Sequence, residues 1–130
     1  MMAKIDSNYN IETNRGNMLP LTIKQKLRDD GSQVMFKSGD IVRFTIMEKN
    51  NCDNVFVQKD VEVKSECESV EIIIPAEEMK LGEIINKPAT YWYEVELNPD
   101  TSDTITILGY TKEKGAKILT LCPESGDKKW

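Results

Sequence analysis

Hydrophobic and polar residues alternate along much of this chain. In the stretch 41–47, which follows a Gly-Asp turn signal, Val42, Phe44 and Ile46 fall on one side while Arg43 falls on the other. A period of two is that of a β-strand with one buried face, because successive side chains of a strand point to opposite sides. The stretch is therefore predicted to be a strand that buries an apolar face against a second surface.

The same period recurs before and after this stretch. The predicted strands lie at residues 8–13, 19–27, 41–47, 55–63, 70–74, 91–97, 105–109 and 117–122. Pro20 lacks an N–H group, so its strand should begin near it or run along a sheet edge there. Phe56 is the one residue that breaks the alternation in 55–63, which places Val55 and Val57 on the same side.

Turn-forming residues separate these stretches, and one short helix interrupts them. Asn, Asp, Ser and Gly cluster at residues 14–17, 29–32, 50–54, 65–69 and 98–103. Residues 76–82 have acids early and Gly82 last, a pattern that predicts one or two helical turns. Residues 83–90 are predicted to be a loop.

Short strands at nearly regular spacing, with almost no helix, predict an all-β protein. The expected fold is an antiparallel β-sandwich with one short helical turn, and a partly open β-barrel is the alternative. We expect residues 1–122 to form a single sandwich domain and residues 123–130 to form a loose C-terminal tail.

Composition and charge narrow the classes of partner. The chain has 130 residues and a net charge of −5, which gives no basic stripe for nucleic acid. No apolar run approaches the roughly 18 residues that a membrane-spanning helix needs. The first eight residues contain no apolar core of signal-peptide length, so synthesis in a cytoplasm without export by a signal peptide is expected.

The residue types give no catalytic, cofactor-binding or metal-binding constellation. The chain contains no His, so it cannot form a Ser–His or Cys–His nucleophile pair. Three cysteines without a CxxC spacing are expected to be reduced thiols rather than zinc ligands. Glu77 and Glu78 are neighbours on a helical turn and point apart, and the turn acids lack the spacing of a calcium loop. We therefore predict no enzyme activity, no cofactor and no bound metal.

The candidate site lies in the aromatic strand 91–97. If Tyr91 and Tyr93 face the core, Trp92 faces outward together with Glu94 and Glu96. An outward Trp is typical of an interface anchor or of a platform for a sugar ring. It is equally compatible with a side chain that packs under a loop such as 83–90.

Six short motifs follow one another along the chain. They are Arg15-Gly16, Gly39-Asp40-Ile41-Val42-Arg43-Phe44, Val57-Gln58-Lys59, Ile72-Ile73-Ile74-Pro75-Ala76-Glu77-Glu78, Tyr91-Trp92-Tyr93-Glu94-Val95 and Asp103-Thr104-Ile105-Thr106-Ile107. In this order they resemble the motifs of a family of small domains from phages and prophages of Gram-positive bacteria, the N-terminal domain of phage upper baseplate proteins. The resemblance covers roughly residues 9–110. Two departures are the longer connection at 83–90 and a chain that we expect to lack the receptor-binding part found in longer relatives.

The resemblance implies an immunoglobulin-like sandwich and a structural function. It implies a non-enzymatic virion protein, a tail or baseplate adaptor that acts through protein–protein contacts with other tail or baseplate proteins, and self-association is also expected. The protein would then be located in the virion, after synthesis in the cytoplasm of the bacterial host. The alternative function is a carbohydrate-binding β-sandwich module, which rests on Trp92 and the acidic loops.

Overall fold

The computed structural model describes residues 3–26, 33–82, 87–112 and 115–123. Ten strands are found in this part of the chain. They are β1 (Lys4–Ile5), β2 (Ile11–Asn14), β3 (Leu19–Lys26), β4 (Gln33–Val34), β5 (Ile41–Glu48), β6 (Asn51–Glu62), β7 (Ser69–Ile74), β8 (Ala89–Leu97), β9 (Ile105–Leu108) and β10 (Lys117–Cys122). A short 3-10 helix at Ala76–Met79 is the predicted helical turn.

The strands form two sheets that pack face to face. The larger sheet has the order β1-β2-β10-β8-β5-β6, with β9 also paired to β8, and the smaller has the order β4-β3-β7. Every pairing is antiparallel except that of β2 with β10. The predicted all-β sandwich with one helical turn is confirmed. Over the described residues both sheets stay open, so the alternative of a barrel is wrong.

Alternating residues of both sheets build the core. In β5, Val42, Phe44 and Ile46 are fully buried, as their period predicts. Residues from the other sheet meet them, and the core cluster also includes Leu19, Leu21 and Ile23 of β3, Val70, Ile72 and Ile74 of β7, Val95 and Leu97 of β8, and Leu119 and Leu121 of β10. Each such side chain stabilises the fold by roughly 1.5–3 kcal/mol when fully buried.

Strands β9 and β10 lie end to end along one edge of β8. β10 pairs with β8 at residues 89–93 and β9 pairs with it at residues 95–97. β5 occupies the opposite edge of β8 over residues 92–97, so β9 and β10 share the remaining edge. Between Leu108 and Lys117 the chain leaves the edge of β8, and an isolated antiparallel bridge joins Thr111 to Gly115.

The first predicted strand is partly wrong. Alternation places Tyr9 beside Ile11 in a strand over 8–13, whereas β2 begins at Ile11 and Tyr9 has a left-handed φ of 63°. The cause is local, since the carboxylate of Asp6 accepts hydrogen bonds from the backbone N–H groups of Asn8 (2.8 Å) and Asn10 (3.0 Å). The turn folds β1, which the pattern does not predict, back onto β2.

The prediction for the start of β6 is also wrong. β6 already begins at Asn51, after a turn in which Asn50 has a φ of 66°. Ile46 pairs with Val57 and Met47 with Val55, so Phe56 is an extra residue in a β-bulge. The bulge reverses the alternation, and Val55 lies on the opposite face of the sheet from Val57.

Several predicted connections fall partly outside the described residues. The turn at 29–32 and the end of the strand predicted at 19–27 lie outside them, as do residues 83–86 of the predicted loop and all of the predicted tail after Pro123. Pro20 conforms to expectation, since among the described strands β7 alone pairs with β3 at that position.

Candidate protein-binding surface

The three residues predicted to face outward do so. Along β8, Tyr93, Val95 and Leu97 are buried in the core, and the alternate residues Trp92, Glu94 and Glu96 are partly buried on the opposite face of the large sheet. Their role in an interface stays a prediction, and their strand neighbours define the surface around them.

Trp92 belongs to an apolar row that crosses four strands. Val55 of β6 pairs with Met47 of β5, Met47 pairs with Trp92 of β8, and Trp92 pairs with Ile118 of β10. Side chains directly opposite one another on adjacent strands lie in contact range, so the four form a continuous band perpendicular to the strands. Met47 is only 3% exposed although it does not belong to the core cluster between the sheets, whereas Val55 at the end of the band is 45% exposed. We call these four residues the apolar row.

Polar residues border the apolar row on both sides. Thr45 pairs with Gln58 and with Glu94 on one side. On the other side, Thr120 of β10 pairs with Thr90 and with Glu12. An apolar centre within a polar border is the usual anatomy of a protein–protein interface.

Two polar residues of this border are removed from solvent, Glu94 in part and Thr45 almost completely. Burial raises the pKa of the Glu94 carboxyl, and the nearby Glu96 raises it further. The Thr45 hydroxyl is buried, and none of the described residues forms a hydrogen bond with it. The Glu94 carboxyl and the Thr45 hydroxyl thus belong to the polar border beside Met47 and Trp92.

Gly109 leads the chain out of β9 close to Glu94. A Cβ atom at Gly109 would lie 2.7 Å from Cγ2 of Thr106 and 3.7 Å from Cβ of Glu94. Any side chain at this position would clash with Thr106, so the path of the chain after β9 requires glycine here. Next to it, Tyr110 is 70% exposed, an aromatic residue at this edge of the surface that the strand pattern did not single out.

The charges of this face are only partly balanced within the chain. Arg43 lies in register with Glu96, yet its guanidinium donates to Asp60 at 2.7 and 3.0 Å and to Asp100 at 2.9 Å. These contacts raise the pKa of Arg43, and the same guanidinium lowers the pKa of the Asp60 carboxyl. Arg43 is thus engaged by two aspartates, and we expect an approaching partner to meet an acidic surface at Glu94 and Glu96.

The carboxylates considered for catalysis or metal binding lie at separate places in the fold. Glu78 forms an ion pair with Lys59 of β6 at 2.7 Å, and Asp100 binds Arg43. Over the described ranges, no group of three His, Cys, Asp or Glu side chains has the arrangement of a metal site. The three cysteines are free thiols. Within the same described ranges, no helix has the length and apolarity to span a membrane.

Comparison of the chain with protein-family models, with curated proteins and with solved structures gives no match. The family resemblance of the motifs therefore stays an expectation.

Sequence reasoning located Trp92, Glu94 and Glu96 but missed the rest of the surface. The outward orientation of Met47 and of Ile118 could each be predicted from alternation within its own strand. Their position beside Trp92 depends on strand order and register, which no single stretch of sequence contains. Val55 was missed for a different reason, since the bulge at Phe56 reverses its side.

Proposed function

We propose that this chain is a non-enzymatic structural protein of a phage or prophage virion, a tail or baseplate adaptor. It would act through protein–protein contacts on the outer face of the large sheet. The observation that carries the proposal is the apolar row, with Trp92 at its centre. The order of the sequence motifs supports the choice of a phage tail over other assemblies.

The apolar row has the properties of a contact surface. Trp is among the residues most enriched at binding hot spots, and it contributes most where neighbouring side chains exclude water. Met47 and Ile118 flank it on the two adjacent strands. Because Glu94 and Glu96 lie beside it, we expect a partner that supplies Lys or Arg, or a second copy in an off-axis arrangement.

The experiment is complementation of a phage that lacks the gene. Mass spectrometry of purified particles should detect the wild-type chain together with the other tail proteins. Val55→Asp places a charge in the apolar row and should lower incorporation by about tenfold or more. Ile73→Asp is the matched control, because Ile73 of β7 is likewise exposed (47%) but lies in the other sheet. Particles that contain their tail proteins but lack this chain would refute the proposal.

A carbohydrate-binding module is the second candidate, because Trp92 lies on a sheet surface with acidic neighbours. A sugar site needs an open aromatic face together with hydrogen-bonding groups aimed at hydroxyls. Glycan-array screening of the wild-type chain distinguishes the two functions. Binding that Trp92→Ala abolishes would favour the module, and no binding at millimolar sugar would eliminate it.

A further inference from the structure

A large cleft opens between the two sheets, away from the apolar row. Its volume is about 750 Å³, within the range of ligand-binding pockets. Residues 21–25 of β3 line one wall and Ile105–Leu108 of β9 line the other, while the buried residues Ile11 and Tyr93 lie at its base. Three residues at the rim are half exposed, namely Ile5 (53%), Tyr9 (53%) and Ile105 (54%).

Both walls are strand edges rather than sheet faces. Consecutive residues of a strand point to opposite faces, so a cavity lined by several consecutive residues is bordered by the edge, where backbone N–H and C=O groups are located. Over Leu19–Lys24, β3 pairs with β7 on one edge, whereas β4 reaches the other edge only at Gln25 and Lys26. β9 pairs with β8, and the described residues provide no strand on its other edge.

The topology leaves a strand position empty beside β9. β2 runs alongside β10 at residues 119–122, and β9 lies in line with β10. A strand in line with β2 would therefore continue the sheet along β9. None of the described residues supplies it, because the Asp6 turn folds β1 back beside β2. The hydroxyl of Tyr93 donates a hydrogen bond to the backbone carbonyl of Tyr9, which holds this turn at the mouth of the cleft.

One wall of the cleft has a positive charge. Lys24 of β3 is the one charged residue among the described lining residues, and none of the described carboxylates forms an ion pair with it. Lys24 is exposed, whereas Leu21 and Ile23 of the same strand are buried, so its side chain points to solvent beside the cleft, in a chain whose net charge is −5. A carboxylate on an incoming segment would complement it.

We propose that this cleft is a strand-addition site, which binds an extended segment of a partner chain with apolar side chains at alternate positions and a carboxylate opposite Lys24. An extended peptide matches an open strand edge because it offers backbone donors and acceptors at the same spacing. Its apolar side chains would cover Ile11, Tyr93 and Ile105. The site does not include the apolar row, so it is independent of the proposed virion function.

The probe is an acetylated and amidated nine-residue peptide that alternates valine and threonine and carries one central glutamate. Titration into the full chain, followed by backbone amide NMR, should shift the signals of residues 21–25 and 105–108 and slow their hydrogen exchange. Ile105→Asp should weaken binding by about tenfold or more, and Ile73→Asp, at an exposed isoleucine of β7 that does not line the cleft, should leave it unchanged. Val55→Asp should also leave it unchanged, which separates this site from the apolar row.

Two further arms test the chemistry of recognition. Lys24→Glu should weaken binding of the glutamate peptide and strengthen that of a lysine peptide, each by about two- to fivefold, the size of a cross-strand charge pair. A peptide with methylated backbone nitrogens should not bind, because it cannot donate to a strand edge.

Four results would overturn the proposal. These are no signal change at millimolar peptide, signal changes confined to another surface, equal binding of the methylated peptide, and a dimer of the chain that Ile105→Asp dissociates in the absence of peptide. The last result would identify the occupant as a second copy of the chain.

Discussion

The side chain of Arg15 donates a hydrogen bond from Nε to the backbone carbonyl of Leu81 at 3.0 Å, across 66 positions of sequence. Its Nη2 donates to the carbonyl of Gly82 at 3.1 Å. Next to it, the N–H group of Gly16 donates to the carbonyl of Met79 at 3.1 Å. Two motifs that are separate in the sequence, Arg15-Gly16 and the helical turn, thus form one contact at the end of the sandwich.

We predict that Arg15→Ala lowers the free energy of unfolding by about 2 kcal/mol. Arg15 is only 7% exposed, and its loss removes hydrogen bonds from a charged donor and leaves carbonyl groups without those partners. Urea unfolding followed by tryptophan fluorescence measures the change. Arg15→Lys keeps the charge but not the planar fork, and it should restore only part of the stability. Equal midpoints for Arg15→Ala and the wild type would contradict the prediction.

Phe44 and Arg43 are adjacent in β5 but should differ greatly in their contribution to stability. Phe44 is fully buried, with its ring 5.5 Å from that of Tyr93, so Phe44→Ala should cost about 3–5 kcal/mol. Arg43→Ala removes ion pairs with Asp60 and Asp100 on the outer face and should cost less than about 1 kcal/mol. Added salt should reduce the Arg43 effect, but not the Phe44 effect. Similar urea midpoints for the two variants would mean that the faces of β5 are wrongly assigned.

Glu94→Gln should stabilise the protein at neutral pH. Burial, followed by the nearby Glu96, raises the pKa of the Glu94 carboxyl in the folded state. A raised folded-state pKa favours folding below the unfolded value of about 4.3, and this contribution is lost as the pH rises through the folded-state pKa. The variant and the wild type should therefore converge at low pH, and the variant should be the more stable at pH 7. Urea midpoints measured across this range would contradict the prediction if the difference did not depend on pH.

Thr45→Val should stabilise the protein by up to about 1 kcal/mol. The Thr45 hydroxyl is buried, and it has no hydrogen-bond partner in the part of the chain that the structure describes. Its replacement by a methyl group of similar size removes the cost of burying an unpaired polar group. Thr90→Val is the matched control. Thr90 of β8 lies on the same face of the large sheet as Thr45 but is exposed, so its replacement should change the melting temperature little. A loss of stability in Thr45→Val would show that the hydroxyl is satisfied.

Alternation along single stretches predicted the strands whose one face is buried. β5, β7, β8 and β10 lie where the period places them, and Phe44 is in the core while Trp92 lies on the opposite face. The reason is that a half-buried strand must place apolar residues at every second position, so its sequence contains its own orientation. The short helical turn could also be predicted, because Pro75 ends a strand and acids open the turn.

Tertiary structure alone decided how these strands are combined. The apolar row exists because β6, β5, β8 and β10 are adjacent and in one register, and the cleft exists because the Asp6 turn directs the chain away from β9. The bulge at Phe56, which moves Val55 to the outer face, likewise depends on the partner strand. Period two specifies which side of a strand is apolar, whereas strand order and register result from contacts between residues far apart in the sequence. The sequence by itself therefore determined a β-sandwich and its outward Trp92, and only the packing of the two sheets decided which residues surround that tryptophan and which strand edges stay open.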